Sequence, residues 1–345
     1  MYHDPARAPD EGGPPTVKAV RVHELGGPEV LRYEGVPDVH PGAGQILVRV
    51  AAAGVNFLDV YYRSGFNWGG HHRVDLPYTP GAEAAGTVVA VGEGSADVRP
   101  GDRVAYGVSN GRGSYAELAL VPSWQAFKLP ESIALETAAA VMQQGMTAHY
   151  LSHSVYGLAA GHTALVHAAA GGTGLLLVQM AKLRGARVIG VVSTPEKAAL
   201  AHAHGADEVI VSSTEDFPAR ARTLTAGRGV NVVYDSVGKA TFEGSLECLA
   251  PRGMMVLYGQ SSGPVPPFDT AVLNAKGSLL LSRPSLTHYV ADRNDVLTRA
   301  GDIFRWIASG ELKVHIGRKL KLAQAPEAHR LLEGRATTGK VLLIP

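Results

Sequence analysis

Cysteine is almost absent from this chain of 345 residues, in which Cys248 is the only one. A single cysteine excludes an internal disulfide bond and any metal site that needs several thiolates. Scarce cysteine is typical of a reducing compartment, and the N-terminal segment lacks the apolar core of a secretion signal. We therefore expect a cytoplasmic protein. Because Cys248 lies in an apolar helical stretch, we predict a buried and inert thiol.

Long apolar runs and an excess of charge of one sign are missing as well. No run approaches the roughly 18 apolar residues of a membrane-spanning helix, which argues against a membrane protein. The formal net charge is +1, so electrostatics give no case for nucleic acid as the main partner. Glycine is abundant instead, with 41 residues, and it predicts many tight turns. The length suggests about two domains.

Two patterns of secondary structure divide the chain. Short apolar runs separated by glycine and proline, such as 45–50, 86–91 and 102–106, predict a β-rich region up to about residue 129. From residue 162, apolar strands alternate with helices of about ten residues, which predicts βαβ units and a parallel sheet. The predicted strands are 163–168, 187–192, 208–211, 230–235, 253–258 and 277–282, with helices at 174–183 and 195–204.

The end of the chain returns to the first pattern, with a helix at 302–309 and a strand at 340–344. The sequence thus predicts an α/β protein in which one domain is inserted into another. We place the nucleotide-binding domain at 146–286 and the β-rich domain at 17–145 and 287–345. Residues 1–16 are polar and rich in proline and glycine, and they are predicted to form a disordered tail.

A glycine-rich turn joins the first strand of the parallel sheet to its helix. Gly171, Gly172, Thr173 and Gly174 stand where the helix is predicted to begin. A pyrophosphate must approach backbone N–H groups closely at such a turn, and side chains would block it. The helix N-terminus adds the positive end of its dipole. The order strand, turn, helix and strand therefore predicts a dinucleotide site. The alternative is a turn that only lets helix and strand pack closely.

The end of the second strand bears on the choice of cofactor. A site for NAD normally places Asp or Glu about 20 residues after the turn, to bind the ribose 2′-hydroxyl. This chain has Ser193, Thr194 and Lys197 there, and two hydroxyls with an ammonium favour a 2′-phosphate. We therefore predict NADPH. Thr194 is also a good helix cap before Pro195, and Glu196 is an acidic residue close by.

Several stretches of the chain together resemble one family. They are 54–65, 80–86, 167–174, 233–238, 258–263, 274–285 and 335–339, and they cover most of residues 17–345 in family order. The chain resembles the zinc-independent quinone oxidoreductases, the zeta-crystallin-like group of the medium-chain dehydrogenase/reductase superfamily. The resemblance implies a catalytic domain with a GroES-like β core and a Rossmann domain with a doubly wound parallel sheet. It places the cofactor in the cleft between them.

The resemblance also implies a set of residues that contact NADPH. We expect the same of Gly171 and Gly174 in the turn and of Thr194, Ser212 and Gly259. Related proteins often carry Tyr at the position of Ser212, which is a departure in this chain. The residues implied by the resemblance are Asn56, Tyr61, Tyr150, Gly172, Thr173, Ser193, Lys197, Ser236, Tyr258, Ser261, Arg283 and Arg335.

A zinc site is not expected. The resemblance places Asn56 and Ala82 where zinc-containing members carry Cys and His, and neither side chain is a good zinc ligand. Glu83 is the remaining carboxylate of that site, and we expect it to form internal hydrogen bonds or a salt bridge. His71 and His72 are adjacent, but neighbours in sequence need not converge on a metal.

Without a metal to polarise an alcohol, the expected reaction is hydride transfer from NADPH to an electrophilic acceptor, a quinone. Asn56 and Tyr61 are the candidate donors to the developing oxyanion, and Tyr61 could also pass a proton. The alternatives for these two are a structural amide and a packing role. An enone reductase would use the same site with another acceptor. A protein of a different class would bind or sense NADPH without catalysis. Residues 277–282 are expected to form an apolar edge strand that pairs in a homodimer.

Overall fold

The computed structural model describes residues 17–66, 74–95, 97–107 and 113–345. The predicted tail and two residues named above, His71 and His72, lie outside these ranges. Within these ranges, the first part of the chain forms seven strands and three α-helices. They are β1 (Val17–Val22), β2 (Leu31–Val36), β3 (Gln45–Gly54), α1 (Phe57–Ser64), β4 (Glu83–Val91), β5 (Arg103–Gly107), β6 (Leu118–Pro122), β7 (Ala126–Lys128), α2 (Leu135–Ala139) and α3 (Met142–Tyr150).

Strands and helices alternate in the middle of the chain, as the apolar pattern predicts. The elements are β8 (Thr163–His167), α4 (Gly172–Leu183), β9 (Arg187–Val192), α5 (Pro195–Ala203), β10 (Glu208–Val211), α6 (Phe217–Leu224), β11 (Val230–Asp235), α7 (Phe242–Cys248), β12 (Leu249–Leu257), α8 (Ala271–Ala275) and β13 (Leu280–Ser282). The last part contains α9 (Arg293–Ser309), β14 (Ile316–Lys321), α10 (Ala325–Glu333) and β15 (Lys340–Ile344).

The middle strands form one parallel sheet in the order β10-β9-β8-β11-β12-β13. This order reverses between β8 and β11, so the chain winds in both directions from the centre, as in a Rossmann fold. The central strands are buried along their length, because helices cover both faces. Ligands of such sheets bind at the carboxyl ends of the strands beside this reversal.

The second sheet has seven strands and draws on both ends of the chain. Its order is β14-β15-β3-β4-β5-β7, with β6 also paired to β3. The last strand, β15, joins β3 through Leu342 and Leu343, which pair with Gly54 and Ala53, so strands from both ends of the chain meet in one sheet. Together the two sheets confirm the predicted α/β fold, with a GroES-like β-rich part and a Rossmann part. The predicted domain bounds at 145/146 and 286/287 stay predictions.

The bounds of three elements differ from those predicted by three residues or more. The edge strand predicted from residue 277 forms only over β13, because Gly277 and Ser278 have positive φ angles of 109° and 56° that end an extended backbone. The helix predicted from residue 302 begins at Arg293, where the carboxylate of Asp292 accepts a hydrogen bond from Asp295 N–H (2.9 Å). The strand predicted from residue 253 begins four residues earlier, with β12.

Helices α3 and α9 connect the two sheets through one apolar core. This core holds Met142 and Met146 of α3 and Phe304 of α9. It also includes Ala85 of the seven-stranded sheet and Val166 of the parallel sheet. The start of α3 therefore lies between the two sheets, at the back of the cleft described below. Within the described ranges, no helix is long and apolar enough to cross a membrane.

Candidate active site

A cleft between the two sheets encloses a cavity of about 720 Å³. Such a volume is typical of a site for a small ligand or cofactor. The structure brings all of the predicted site residues except Thr194 to its walls. The lining residues among them are Asn56, Tyr61, Tyr150, Gly171, Gly172, Thr173, Gly174, Ser193, Lys197, Ser212, Ser236, Tyr258, Gly259, Ser261, Arg283 and Arg335.

The glycine turn forms the floor of the cleft at the end of β8. A Cβ atom on Gly174 would lie 2.2 Å from the carbonyl oxygen of Ala168, so no larger residue fits there without moving backbone. A Cβ on Gly172 would lie 1.9 Å from Oε1 of Gln144. Helix α4 begins at Gly172, and the N–H groups of a first helical turn have no partners within the helix. The turn thus offers backbone donors and a helix dipole to an anion.

Two cationic residues meet at the end of β9. The ammonium of Lys197 donates to the backbone carbonyl of Arg335 (2.7 Å) and to the hydroxyl of Ser193 (3.3 Å). Burial, with the nearby positive charge of Arg335, lowers the pKa of Lys197. An anion bound here would favour the charged form of the lysine, because an opposite charge offsets the cost of burial. Ser212 closes the same corner, with its hydroxyl donating to the carbonyl of Val192 (3.0 Å).

Thr194 is the one residue of the predicted site that the cavity lining lacks, and its contact with NADPH stays a prediction. Its hydroxyl accepts a hydrogen bond from the backbone N–H of Lys197 (3.4 Å) and caps α5, and the residue does not line the cavity. The capping role that its sequence context allowed is therefore the one that it has in this structure. Glu196, the nearby acid, is exposed and does not line the cavity within the described residues.

Tyr61 stands on the opposite wall, on the helix α1. Its hydroxyl oxygen accepts a hydrogen bond from the backbone N–H of Gln260 (3.2 Å). Its ring packs against Phe57 and Phe66, at centroid distances of 6.1 Å and 5.4 Å. Burial raises the pKa of Tyr61, with the Gln260 N–H and Arg283 acting in the opposite direction. The phenol is therefore protonated at neutral pH and can donate a hydrogen.

Tyr150 forms part of the wall next to α3. Its ring stacks on that of Tyr289 at 4.5 Å, with the planes only 5° apart. Burial raises the pKa of Tyr150 as well. Arg283 is fixed from the other side, because its guanidinium donates to the backbone carbonyl of Leu257 (2.9 Å). The side chains of Tyr150 and Arg283 are therefore held in place by contacts within the protein.

Asn56 lies at the point where β3 passes into α1, in a buried polar cluster. Its amide nitrogen donates to Glu83 Oε1 (2.8 Å) and to the carbonyl of Gly54 (3.3 Å). Its amide oxygen accepts from the ammonium of Lys340 (3.0 Å), which settles the orientation of the amide because an ammonium can only donate. The Lys340 ammonium also bonds Glu83, and the other oxygen of Glu83 accepts from Gln143 N–H (2.7 Å). Both amide hydrogens of Asn56 thus point to internal acceptors rather than to an acceptor molecule in the cleft.

The same cluster bears on zinc. Its donors do not fit the metal, because Asn56 contributes an amide and Ala82 carries no ligand atom. The Lys340 ammonium already bonds the Glu83 carboxylate. A second cation beside this ammonium would be repelled. Within the described ranges, no group of three or more His, Cys, Asp or Glu side chains is arranged to hold a metal. Glu83 has the internal hydrogen bonds and salt bridge expected from the sequence.

Sequence reasoning missed several residues of the site. Nothing in the sequence marks Lys340 except that it begins the last strand. Gln143 and Gln144 lie in a helical stretch with no motif around them. Asp235 lies in 233–238, one of the stretches that resemble the family, but it was not predicted as a site residue. Its carboxylate accepts from the backbone N–H groups of Val237 (2.7 Å) and Gly238 (3.0 Å) and so shapes the turn that carries Ser236. The cavity is also lined by apolar residues that were not predicted: Val55, Phe57, Leu58, Pro284, Leu286 and Val290.

Two family models match this chain. One is described as an alcohol dehydrogenase GroES-like domain and matches residues 42–131. The other is described as a zinc-binding dehydrogenase and matches residues 172–294. The two matches cover parts of the seven-stranded and the parallel sheet respectively. The second description names zinc, but the Asn56 cluster offers no suitable ligands for this metal.

Similarity to known proteins extends over nearly the whole chain. A quinone oxidoreductase of Pseudomonas aeruginosa is 43% identical over 328 residues, which are 95% of this chain and 99% of the relative. A 2-haloacrylate reductase from a Burkholderia species is 40% identical over 95% of this chain and 99% of its own length. The crystal structure of Escherichia coli quinone oxidoreductase complexed with NADPH superposes with a TM-score of 0.91 at 42% identity, over 95% of this chain and 100% of that one. The chain belongs to the quinone oxidoreductases of the medium-chain dehydrogenase/reductase superfamily.

Proposed function

We propose that this protein is an NADPH-dependent quinone reductase that works without zinc. The observation that carries the proposal is the joint placement of three features in one cavity. These are the glycine turn at 171–174, the cationic pair Lys197 and Arg335 beside Ser193, and Tyr61 on the facing wall. A dinucleotide with a 2′-phosphate and an acceptor next to it would use all three.

The chain's own residues explain how NADPH would be held. The backbone N–H groups at Gly172 and Thr173 would bind the pyrophosphate, and Ser193, Lys197 and Arg335 the 2′-phosphate. The rest of the predicted NADPH site is lined by Tyr150, Ser236, Tyr258, Gly259, Ser261 and Arg283. When bound, NADPH supplies the hydride for an acceptor that is already electrophilic, such as a quinone.

Tyr61 is the residue that we expect to contact the acceptor oxygen. Burial keeps its phenol protonated, so it can donate a hydrogen bond as negative charge develops on that oxygen. Asn56 has a positioning role in this proposal, because its amide hydrogens bind Glu83 and Gly54. It fixes the start of α1, the helix on which Tyr61 stands. The apolar side chains of Leu286 and Val290 would exclude water.

An enone reductase is the second candidate, and a specific observation favours keeping it. The relative from Burkholderia named above is a 2-haloacrylate reductase, whose name gives a different acceptor from a quinone. The same cavity could serve, since only the acceptor changes. Oxidation of NADPH should be measured with para-benzoquinone and with a linear enone. A higher kcat/KM for the quinone supports our proposal, and a higher value for the enone supports the alternative.

The same measurements test whether the protein is an enzyme. A protein that only binds or senses NADPH would show saturable NADPH binding with no oxidation across a panel of quinones and enones. Binding of NADH as tight as that of NADPH would contradict the proposed cofactor. The quinone reductase proposal stands only if NADPH is preferred and is consumed in step with the acceptor.

We further propose a cytoplasmic homodimer that pairs through the edge of the parallel sheet. Leu280 and Leu281 of β13 are 52% and 37% exposed, which is unusual for adjacent leucines on an edge strand. Beside them lies an apolar hollow lined by Phe242, Val265 and Phe268. A second copy of this edge would cover both. Sedimentation should give a dimer at micromolar concentration and a monomer for Leu280→Asp, whereas a monomeric wild type would refute the proposal.

A further inference from the structure

Two adjacent glutamines at the start of α3 face the cleft. Gln143 and Gln144 both line the cavity, and their side chains are half-buried. The carbonyl oxygen Oε1 of each is fully buried, and among the described residues neither has a hydrogen-bond partner. Elsewhere in proteins most buried polar side-chain atoms are satisfied. Two unsatisfied acceptors side by side in a ligand cleft therefore call for a partner that comes from outside the chain.

Nearby glycines show where the two oxygens lie. Gln144 Oε1 lies over the glycine turn, only 1.9 Å from where a Cβ on Gly172 would be. Gln143 Oε1 lies 3.5 Å from where a Cβ on Gly107 would be, at the end of β5. The backbone of α3 is fixed at this point, because Gln143 N–H donates to the Glu83 carboxylate (2.7 Å). Gln144 Oε1 thus lies beside the parallel sheet, and Gln143 Oε1 lies beside the seven-stranded sheet.

The chemistry of the partner follows from the atoms that face it. A carbonyl oxygen accepts hydrogen bonds and cannot donate them. The phosphates of a dinucleotide have no hydrogens to offer at neutral pH, whereas its ribose hydroxyls and its nicotinamide carboxamide do. The 2′-phosphate corner is at the end of β9, with Lys197, and α3 is not part of it. The nicotinamide half is therefore the matching donor.

We propose that Gln143 and Gln144 are positioning residues that accept hydrogen bonds from the nicotinamide half of NADPH. Gln144 takes a hydroxyl of the nicotinamide ribose above the turn, and Gln143 takes the carboxamide N–H. This inference rests on the proposed NADPH dependence. Through Glu83, the backbone N–H of Gln143 is linked to Lys340 and Asn56, so the buried cluster holds the start of the helix that carries both glutamines.

The test compares two ligands on purified protein. NADPH contains the nicotinamide half, and adenosine 2′,5′-bisphosphate contains only the part that Lys197 would bind. Gln144→Met and Gln143→Met keep the length of the side chain and remove the acceptor. Each should raise the Kd of NADPH about 10-fold, the value of one lost hydrogen bond. Each should change the Kd of the bisphosphate less than about 2-fold.

A third variant completes the test. Gln324→Ala is the control, because Gln324 is exposed and does not line the cavity, so its Kd for NADPH should stay within about 2-fold of the wild-type value. A loss in Gln324→Ala as large as in the cleft variants would overturn the inference. Unchanged NADPH binding in both methionine variants would overturn it too, as would equal losses for both ligands. A wild type that binds no NADPH would instead refute the proposed function.

Discussion

The ammonium of Lys340 donates a hydrogen bond to the carboxylate of Glu83 in the protein interior, although 257 positions separate them in sequence. Their side chains are 1% and 0% exposed. The pair ties β15 to β4, and it reaches α1 through Asn56 and α3 through Gln143. One buried ion pair therefore joins four elements that surround the cleft.

Loss of one partner of this pair should destabilise the protein strongly. Lys340→Met leaves the carboxylate of Glu83 buried without its cation, which typically costs about 3–5 kcal/mol. The double variant Lys340→Met/Glu83→Gln should lose less free energy of unfolding than Lys340→Met. No charge remains in the double variant, and the Asn56 amide can turn to accept a hydrogen bond from the new amide. Urea denaturation measures both free energies of unfolding.

An exposed pair provides the control for that experiment. Lys319 bonds Glu136 at the surface, with side chains 50% and 41% exposed. Lys319→Met should therefore change the free energy of unfolding by less than about 1 kcal/mol. If the double variant were no more stable than Lys340→Met alone, the buried charge of Glu83 would not be the source of the loss.

Lys197 should discriminate between the two nicotinamide cofactors. Removal of its ammonium takes away a charged hydrogen bond to the 2′-phosphate, worth about 1.5–3 kcal/mol. Lys197→Ala should therefore raise the Kd of NADPH roughly 10- to 100-fold and leave the Kd of NADH within about 2-fold. Fluorescence titration gives both values, with Lys182→Ala, a surface lysine paired with Asp207, as the control. Parallel losses for both cofactors would contradict the assignment.

Tyr61 should affect turnover more than cofactor binding. Tyr61→Phe removes the phenolic donor, and we expect kcat with para-benzoquinone to fall about 10- to 100-fold while the Kd of NADPH changes little. Because burial raises the pKa of Tyr61, any loss of rate from this group should begin at a higher pH than a free tyrosine phenol would give. Tyr106→Phe is the matched control, since Tyr106 is buried in β5 and does not line the cavity. An unchanged kcat for Tyr61→Phe would leave the phenol only a packing role.

Features carried by local sequence could be predicted, and those that depend on distant pairing could not. The strands and the glycine turn follow from periodicity and from steric demands at Gly174 that act within a few residues. The same reasoning found Ser193 and Lys197, because both stand at the end of one predicted strand. Lys340 was missed because its partner Glu83 joins it only when β15 pairs beside β3. The sequence predicts Asn56 as a donor to the acceptor. The amide is oriented by Lys340 instead, and no local pattern around Asn56 reveals that distant contact.

Asp59, beneath the site on α1, should make stability depend on pH. It accepts hydrogen bonds from the Asn56 N–H (2.8 Å) and the Tyr115 hydroxyl (2.9 Å), yet burial raises its pKa to about 7, from 3.8. The folded state then holds this proton where the unfolded chain has lost it. The contribution of Asp59 is therefore fully present below about pH 4 and is lost as pH rises through about 7.

Asp59→Asn should remove this dependence, since the amide resembles the protonated acid in shape and keeps an acceptor for both donors. Relative to the wild type, the free energy of unfolding of the variant should rise by about 1.4 kcal/mol for each pH unit between pH 4 and 7. Urea denaturation across that range measures this difference. Asp102 is the control, because its hydrogen bond and charge pairing with Lys128 lower its pKa. Its contribution is largely present above about pH 4, so the difference between Asp102→Asn and the wild type should change little from about pH 5 to 7. A difference between Asp59→Asn and wild type that stays constant with pH would show that Asp59 does not titrate in this window. Its carboxylate would then be charged in the folded protein, with the Lys340 ammonium, which already lowers its pKa, as a compensating charge.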